Sequence, residues 1–321
     1  MSTAEAEQRR GFFAALGAFF IWGLLPIYIH QLAPTPSVQI MAHRVIWACV
    51  FVFGYLVIKG DLGKVWAALA DAKARLLLAA SATLVSINWQ IYVWAVSSGH
   101  VVESALGYFI NPLVSVLLGV FVLKERLNAA QWCAVSLAAL GVLWLTVQVG
   151  SPPWIAIALA LSFGAYGLIR KKVVVDSVAG LGVETLLIAP VMLVYLAWTL
   201  HTGSFAFGTL GLKVDAFLVA SGAITAIPLV LFAYGVRRVP LSTIGILQYL
   251  GPSLQLITGV FVFHEPFTQT QLIGFGLIWV ALLVYAGEGL WRGRQLRRSA
   301  ALAESGAPAA TAAVAASPTA R

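Results

Sequence analysis

Long apolar runs separated by short polar clusters dominate the pattern along the chain. Runs long enough to cross a hydrocarbon core of about 30 Å fall near residues 11–29, 38–58, 76–97, 102–122, 129–148, 153–169, 180–200, 214–236, 241–263 and 270–290. Their apolar positions are continuous rather than alternating. That favours helices over barrel strands, because backbone in lipid must bond to itself. The pattern predicts an all-α integral membrane protein of ten transmembrane helices. Arg9 and Arg10 ahead of the first run suggest a secretory signal, but the run is too long and no clean small-x-small cleavage site follows.

The runs also repeat. Pro112-x6-Gly119-Val120-Phe121-Val122-x2-Glu125 recurs as Pro252-x6-Gly259-Val260-Phe261-Val262-x2-Glu265, and Gln131 and Gln271 extend the same register. Phe19-x2-Trp22-Gly23 is matched in the same way by Phe163-x2-Tyr166-Gly167. One repeat unit therefore holds five spans, and an odd number turns the second copy upside down in the membrane. The expected organisation is a first five-helix repeat over 1–148, an inverted second repeat over 149–290, and a basic juxtamembrane segment with a disordered cytoplasmic tail over 291–321. Inverted repeats are the usual build of alternating-access carriers.

Composition and charge sharpen this picture. With 60% hydrophobic and 10% charged residues, the chain lies well outside the usage of soluble domains. The formal net charge of +8 would fit a nucleic-acid surface, but its distribution argues otherwise. Of the 20 basic residues, Lys213 alone falls in a loop on one side and Arg44 within a span; the rest share the opposite side. The positive-inside rule then places both termini in the cytoplasm, and topology accounts for the charge without nucleic acid. Cys49 and Cys133 lie inside spans without metal-type spacing and read as packing residues.

Polar groups inside spans are costly in hydrocarbon and must face a partner or a cavity. His43 and Arg44 lie near the outer end of span two, Glu103 opens span four on that side, and Glu184 lies one turn inside span seven from the cytoplasmic side. Spans two and seven are repeat equivalents, so Arg44 and Glu184 sit at mirrored depths. They read either as gates or ends of one pathway, or as structural groups, with an Arg44–Glu103 ion pair as the structural version. In span nine Gln248, Gly251, Gln255 and Thr258 form one helical stripe, and Tyr108, Asn111 and Ser115 form its counterpart in span four. Pro112 and Pro252 beside these stripes kink their helices and free carbonyls. The stripes line a cavity or hydrogen-bond packed spans to one another. Asn88 and Tyr92 in span three, with Trp89, Trp94, Trp22 and Trp47, supply further polar and aromatic surface. The aspartates all lie in loops or at a span edge, and no HExxH, nucleotide-binding glycine loop or Ser/His arrangement occurs within a span.

Four stretches carry a family resemblance: His43-Arg44-Val45-Ile46-Trp47; Asn88-Trp89-x4-Trp94-Ala95-Val96; Glu103-Ser104-x-Leu106-Gly107-Tyr108-Phe109-Ile110-Asn111-Pro112; and Leu241-Ser242-Thr243-x-Gly245-x2-Gln248-Tyr249-x-Gly251-Pro252. Together they resemble the RarD group in the EamA branch of the drug/metabolite transporter superfamily, over about residues 10–290. The resemblance implies a ten-helix secondary transporter of the bacterial plasma membrane with a central cavity shared by both halves.

The expectation is a permease that exports a small metabolite or drug-like solute, not an enzyme. Substrate would be bound by Arg44, Asn88, Tyr108, Asn111, Gln248 and Gln255, with His43, Glu103 and Glu184 available for coupling or gating. A small-molecule substrate and the lipid bilayer are the expected partners, a homodimer stays open, and neither a cofactor nor a metal is called for. An intramembrane enzyme or flippase acting on a lipid-linked substrate, and a non-transporting sensor or assembly subunit, are the competing readings.

Overall fold

The structure, a computed structural model, describes residues 3–97, 101–149, 154–262, 264 and 268–305. Among the described residues there are twelve helices and no strand. In chain order they are α1 (Thr3–His30), α2 (Ser37–Lys59), α3 (Leu62–Ala70), α4 (Ala72–Ser97), α5 (Val101–Phe121) and α6 (Ala129–Val149). Then follow α7 (Trp154–Lys172), α8 (Ser177–His201), α9 (Leu212–Val236), α10 (Leu241–Gln248), α11 (Leu250–Phe261) and α12 (Gln269–Ser305). Seven of them, α1, α2, α6, α7, α8, α9 and α12, contain a stretch long and apolar enough to cross a membrane. The remaining three apolar runs are occupied by α4, α5 and the α10–α11 pair. Large apolar side chains such as Leu76, Phe121, Val194 and Leu283 stand exposed on the outside of the bundle, as a lipid-facing surface requires.

Local chemistry sets the helix ends. Gly60 closes α2 at φ 72°, its N–H reaching Leu56 O and Val57 O, a conformation that costs glycine least. Asp176 caps α8 by accepting from Val178 N at 3.0 Å and Ala179 N at 3.2 Å. At the start of α6, Asn128 Oδ1 accepts from Gln131 N at 2.8 Å while Gln131 Oε1 accepts from Asn128 N at 3.0 Å. The start of α12 has the same reciprocal box, made by Thr268 and Gln271. Shortly before each box a non-glycine residue takes a left-handed conformation, Lys124 at φ 58° and His264 at φ 55°. Gln131 and Gln271, found in the sequence only as matching letters, are thus matching caps.

The structure departs from the predicted elements in four places. Span nine is two helices rather than one: Pro252 has no N–H for the Gln248 carbonyl, and the helical bonding is interrupted at Tyr249, directly after Gln248, although its φ and ψ stay helical. By contrast α5 continues through Pro112. A short helix, α3, occupies what was predicted as a loop, and its Val65 and Ala68 are buried against the core. Arg170, Lys171 and Lys172, predicted as loop charges, form the last turn of α7. Finally, α12 continues to Ser305, into the segment predicted as tail, where alanine, leucine, arginine and glutamine all favour helix.

The main core lies between α1, α2, α4, α7, α8 and α9, with Val52, Leu78, Tyr166 and Phe232 among its buried residues. A second cluster joins α5, α6 and α12, where the Phe109 and Phe275 rings meet edge-on at 4.8 Å. Small residues allow the close crossings. A Cβ on Gly245 of α10 would lie 2.6 Å from Pro112 O of α5, and one on Gly222 of α9 would collide with the Trp47 backbone of α2. Gly222→Val is expected to cost about 1–3 kcal/mol through forced overpacking. Gly54→Ala, at a position with open space around it, is the control. Thermal unfolding in detergent should show a lower midpoint for Gly222→Val only.

Candidate functional site

A cavity of about 690 Å³ lies between α1, α2, α4, α5, α7, α9, α10 and α11. It occupies one half of the bundle's length. On α1 it takes Phe19 to His30, toward the end of the helix; on α5 and α7 it takes Gly107 to Asn111 and Leu159 to Phe163, in the first half of each. The end of α1, the start of α2, the end of α4 and the starts of α5 and α7 share one face of the bundle, so the cavity runs from the middle toward that face.

All six residues expected to contact substrate line this one cavity: Arg44, Asn88, Tyr108, Asn111, Gln248 and Gln255. Several also tie helices together. Asn88 Nδ2 donates to Leu159 O at 2.8 Å and Ser162 Oγ at 2.9 Å, joining α4 to α7. Ser115 Oγ donates to Gln248 Oε1 at 2.9 Å, so the two polar stripes meet directly across α5 and α10. Gln255 Nε2 donates to Trp22 O at 3.2 Å. Cavity lining and interhelical bonding are therefore not alternatives here: the same amides do both.

Arg44 is the cationic group of the wall. Its Nε donates to Thr225 Oγ1 at 2.9 Å, and its guanidinium lies 5.5 Å from the Trp89 ring centroid. None of the ion pairs among the described residues involves it. The Glu103 side chain, the partner in the structural reading, lies outside the described ones; its backbone is in the first turn of α5. Aromatic rings complete the wall. Tyr92 and Tyr108 pack edge-on at 5.8 Å, as do Trp22 and Phe163. The latter pair brings together the two copies of the aromatic repeat, Phe19/Trp22 and Phe163/Tyr166, around Phe232.

Two residues expected to take part in coupling or gating sit away from the cavity. His43 points away from the cavity and stacks on Phe207 at 5.2 Å, beside the α8–α9 connection. Glu184 is buried on the other side of the core with Arg170, 3.4 Å away, and each is 2% exposed. Ser81 donates to the Glu184 carboxylate, and Arg170 Nη2 donates to Ser177 O at 3.2 Å. Arg170 was missed as a partner because its sequence neighbours, Lys171 and Lys172, make it look like ordinary loop charge. Thr225 was missed as well, although Ser221 and Thr225 lie one turn apart on α9 and are both buried.

The far end of the bundle is closed by polar contacts. Glu125, after α5, accepts from Leu241 N at 2.7 Å and Ser242 N at 2.9 Å at the start of α10. Lys171 Nζ lies 3.7 Å from the same carboxylate and donates to Val239 O at 2.5 Å. Arg238 Nε donates to Glu7 Oε2 at 2.7 Å, fastening α1 to the end of α9. Among the described residues no three His, Cys, Asp or Glu side chains converge as a metal site would need.

Fold and site together define a multi-pass helical membrane protein with an internal, ligand-sized cavity. The EamA-like transporter family matches residues 9–147 and again 152–287, and the chain belongs to that family. It is 42% identical to "Protein RarD" of Streptomyces exfoliatus, over 95% of this chain and 96% of that one. It is 43% identical to "Uncharacterized transporter YojE" of Bacillus subtilis (strain 168), over 88% and 95%. A solved structure titled only as a crystal structure of a protein shares the fold, with a TM-score of 0.66 at 19% identity over 85% of this chain and 96% of that one.

The Arg170–Glu184 pair makes a stability prediction. Arg170→Met leaves a carboxylate buried without its partner, which costs about 3–5 kcal/mol, whereas replacing both by apolar residues removes the uncompensated charge. Arg170→Met should lower the thermal midpoint in detergent sharply, and Arg170→Met with Glu184→Met should regain most of the loss.

Proposed function

We propose that the chain is a secondary carrier that moves a small solute across the bacterial plasma membrane by alternating access between two inverted five-helix halves. The observation that carries this reading is the cavity itself, enclosed between helices of both halves, open toward one face and closed toward the other by the Glu125, Lys171 and Arg238 contacts. An enzyme pocket needs no second entrance, but a carrier needs its closed end to be openable.

Three features support the inverted arrangement. The family matches twice along the chain. Pro112, Lys124 and Gln131 have local counterparts at Pro252, His264 and Gln271. Helix packing follows the same exchange: α1 packs on α9 and α11 as α7 packs on α4 and α5, while α2 packs on α8, α5 on α10 and α6 on α12. On this reading α10 and α11 act as one discontinuous span and ten spans cross the membrane. Its broken backbone lies beside the cavity, where such breaks are tolerated. Basic residues on the Glu125 face put that face and both termini in the cytoplasm, so the cavity opens outward. Export is the direction implied by the drug/metabolite transporter resemblance. Some relatives, YojE among them, are named uncharacterized transporters, which supports a carrier over the enzyme and sensor readings.

Purified protein in proteoliposomes should show counterflow of some member of a metabolite panel; a panel that yields no flux, with folded protein, overturns the proposal. The closed end gives a second test. Glu125→Gln weakens charge-assisted bonds to two backbone amides, and hydrogen bonds to charged groups contribute about 1.5–3 kcal/mol each. In a background of Cys49→Ala and Cys133→Ala, Glu125→Gln should raise maleimide labelling of a cysteine at Thr243 about tenfold from the Glu125 face. Unchanged labelling would show that this carboxylate does not hold the end shut.

A further inference from the structure

Resting on the carrier reading, we propose that the transported solute is a small organic monoanion, a carboxylate on a planar apolar body that also bears a neutral hydrogen-bond donor. The cavity contains a cation with an unmet need. Arg44 is inside the bundle, where a lone guanidinium is costly, yet it has no carboxylate partner among the described residues. Thr225 occupies Nε only. Among the described residues neither Nη group has a hydrogen-bond or carboxylate partner, which leaves a planar fork whose geometry matches a carboxylate in bidentate fashion. The contrast with Arg170 is instructive, since that buried arginine has its carboxylate within the protein.

The remaining wall specifies the rest of the molecule. No described carboxylate lines the cavity, so an ammonium group would meet no counter-charge among the described residues. Trp22, Tyr92, Tyr108 and Phe163 come from four different helices and present ring surface around the space beside Arg44, which suits a flat apolar body. Asn111 is 8% exposed, lines the cavity, and its Oδ1 is buried with no partner. A buried acceptor left unsatisfied is costly, and turning the Asn111 amide about its last side-chain torsion would bring this oxygen to the cavity, where a hydroxyl or amide N–H on the solute would satisfy it. At about 690 Å³ the space is in the range that takes small organic ligands rather than single ions.

Binding to the full-length protein in detergent, read by titration calorimetry, can separate these requirements with probes of one shape. The probes are 4-hydroxyphenylacetate, 4-hydroxyphenylacetamide and tyramine, with phenylacetate for the hydroxyl. The acid should bind at least about tenfold more tightly than the amide or the amine, since a charged partner adds roughly one such factor. Arg44→Gln should reduce that preference to within about twofold, and Arg44→Lys should retain part of it, keeping charge without the fork. Asn111→Leu should erase the preference for 4-hydroxyphenylacetate over phenylacetate while leaving the acid-over-amide preference intact, so the proposal is testable even if the Arg44 variants misfold. Equal binding of acid and amide, tighter binding of tyramine, or binding of none of the probes overturns the monoanion. Counterflow of an unrelated neutral or cationic solute under those circumstances would leave the carrier reading standing, whereas absence of all flux removes both.

Discussion

Hydrocarbon offers no hydrogen bonds, and most of this structure follows from that constraint. A backbone carbonyl without a partner must be bonded elsewhere or placed beside a cavity. Pro112 and Pro252 remove the N–H groups that would have bonded the carbonyls of Tyr108 and Gln248, and both of these residues line the cavity. In α5 the helix continues; before Pro252 it breaks at Tyr249. The two altered segments also meet, because Gly245 of α10 lets the backbone approach Pro112 O. The irregular backbone is thus gathered at the one place in the bundle where it is tolerated.

The same constraint sorts the charges. Inside the bundle a charged group needs a partner, and Arg170 and Glu184 supply one another, reinforced by Ser81 and Ser177. Such a pair fixes α7, α8 and α4 relative to one another and leaves nothing for a ligand. Arg44 has instead a hydroxyl and an indole face. Neither carries a charge, and no carboxylate among the described residues pairs with the guanidinium. The two arginines are thereby separated into one paired inside the protein and one that lines the cavity, by what surrounds them.

Much of this was legible in the sequence, for identifiable reasons. The apolar runs set helix positions because length and hydropathy are local properties, and the polar stripes located the cavity because helical spacing places Gln248 and Gln255 on one face. What depended on three-dimensional partners was not legible. Lys171 and Lys172 concealed the burial of Arg170, and adjacency made His43 and Arg44 look like one feature although successive residues on a helix point about 100° apart. Val65 and Ala68 mark α3 as amphipathic only once the surface they pack on is known. The stripes likewise posed a choice between lining and bonding that dissolves when Ser115 is seen donating to Gln248 at the cavity wall.

The repeat explains why closure at one end requires so few residues. Glu125 follows a left-handed Lys124 and precedes the capping box of α6, so its position is set by rigid local geometry on both sides. From there one carboxylate accepts the first two amides of α10, donors that any helix start leaves unsatisfied. Lys171 adds a single charge from α7 and also bonds the carbonyls of Val236 and Val239 just before α10. The interruption at Tyr249 makes α10 an eight-residue unit, joined to α11 through a residue that keeps helical φ and ψ, −63° and −16°. This short helix is bonded at its start by one carboxylate and packed along its length, with Leu241, Ile244 and Ile246 buried in the core. This end therefore combines a few charge-assisted bonds with apolar packing, Ile246 of α10 sharing one buried cluster with Val116 of α5 and Val135 of α6.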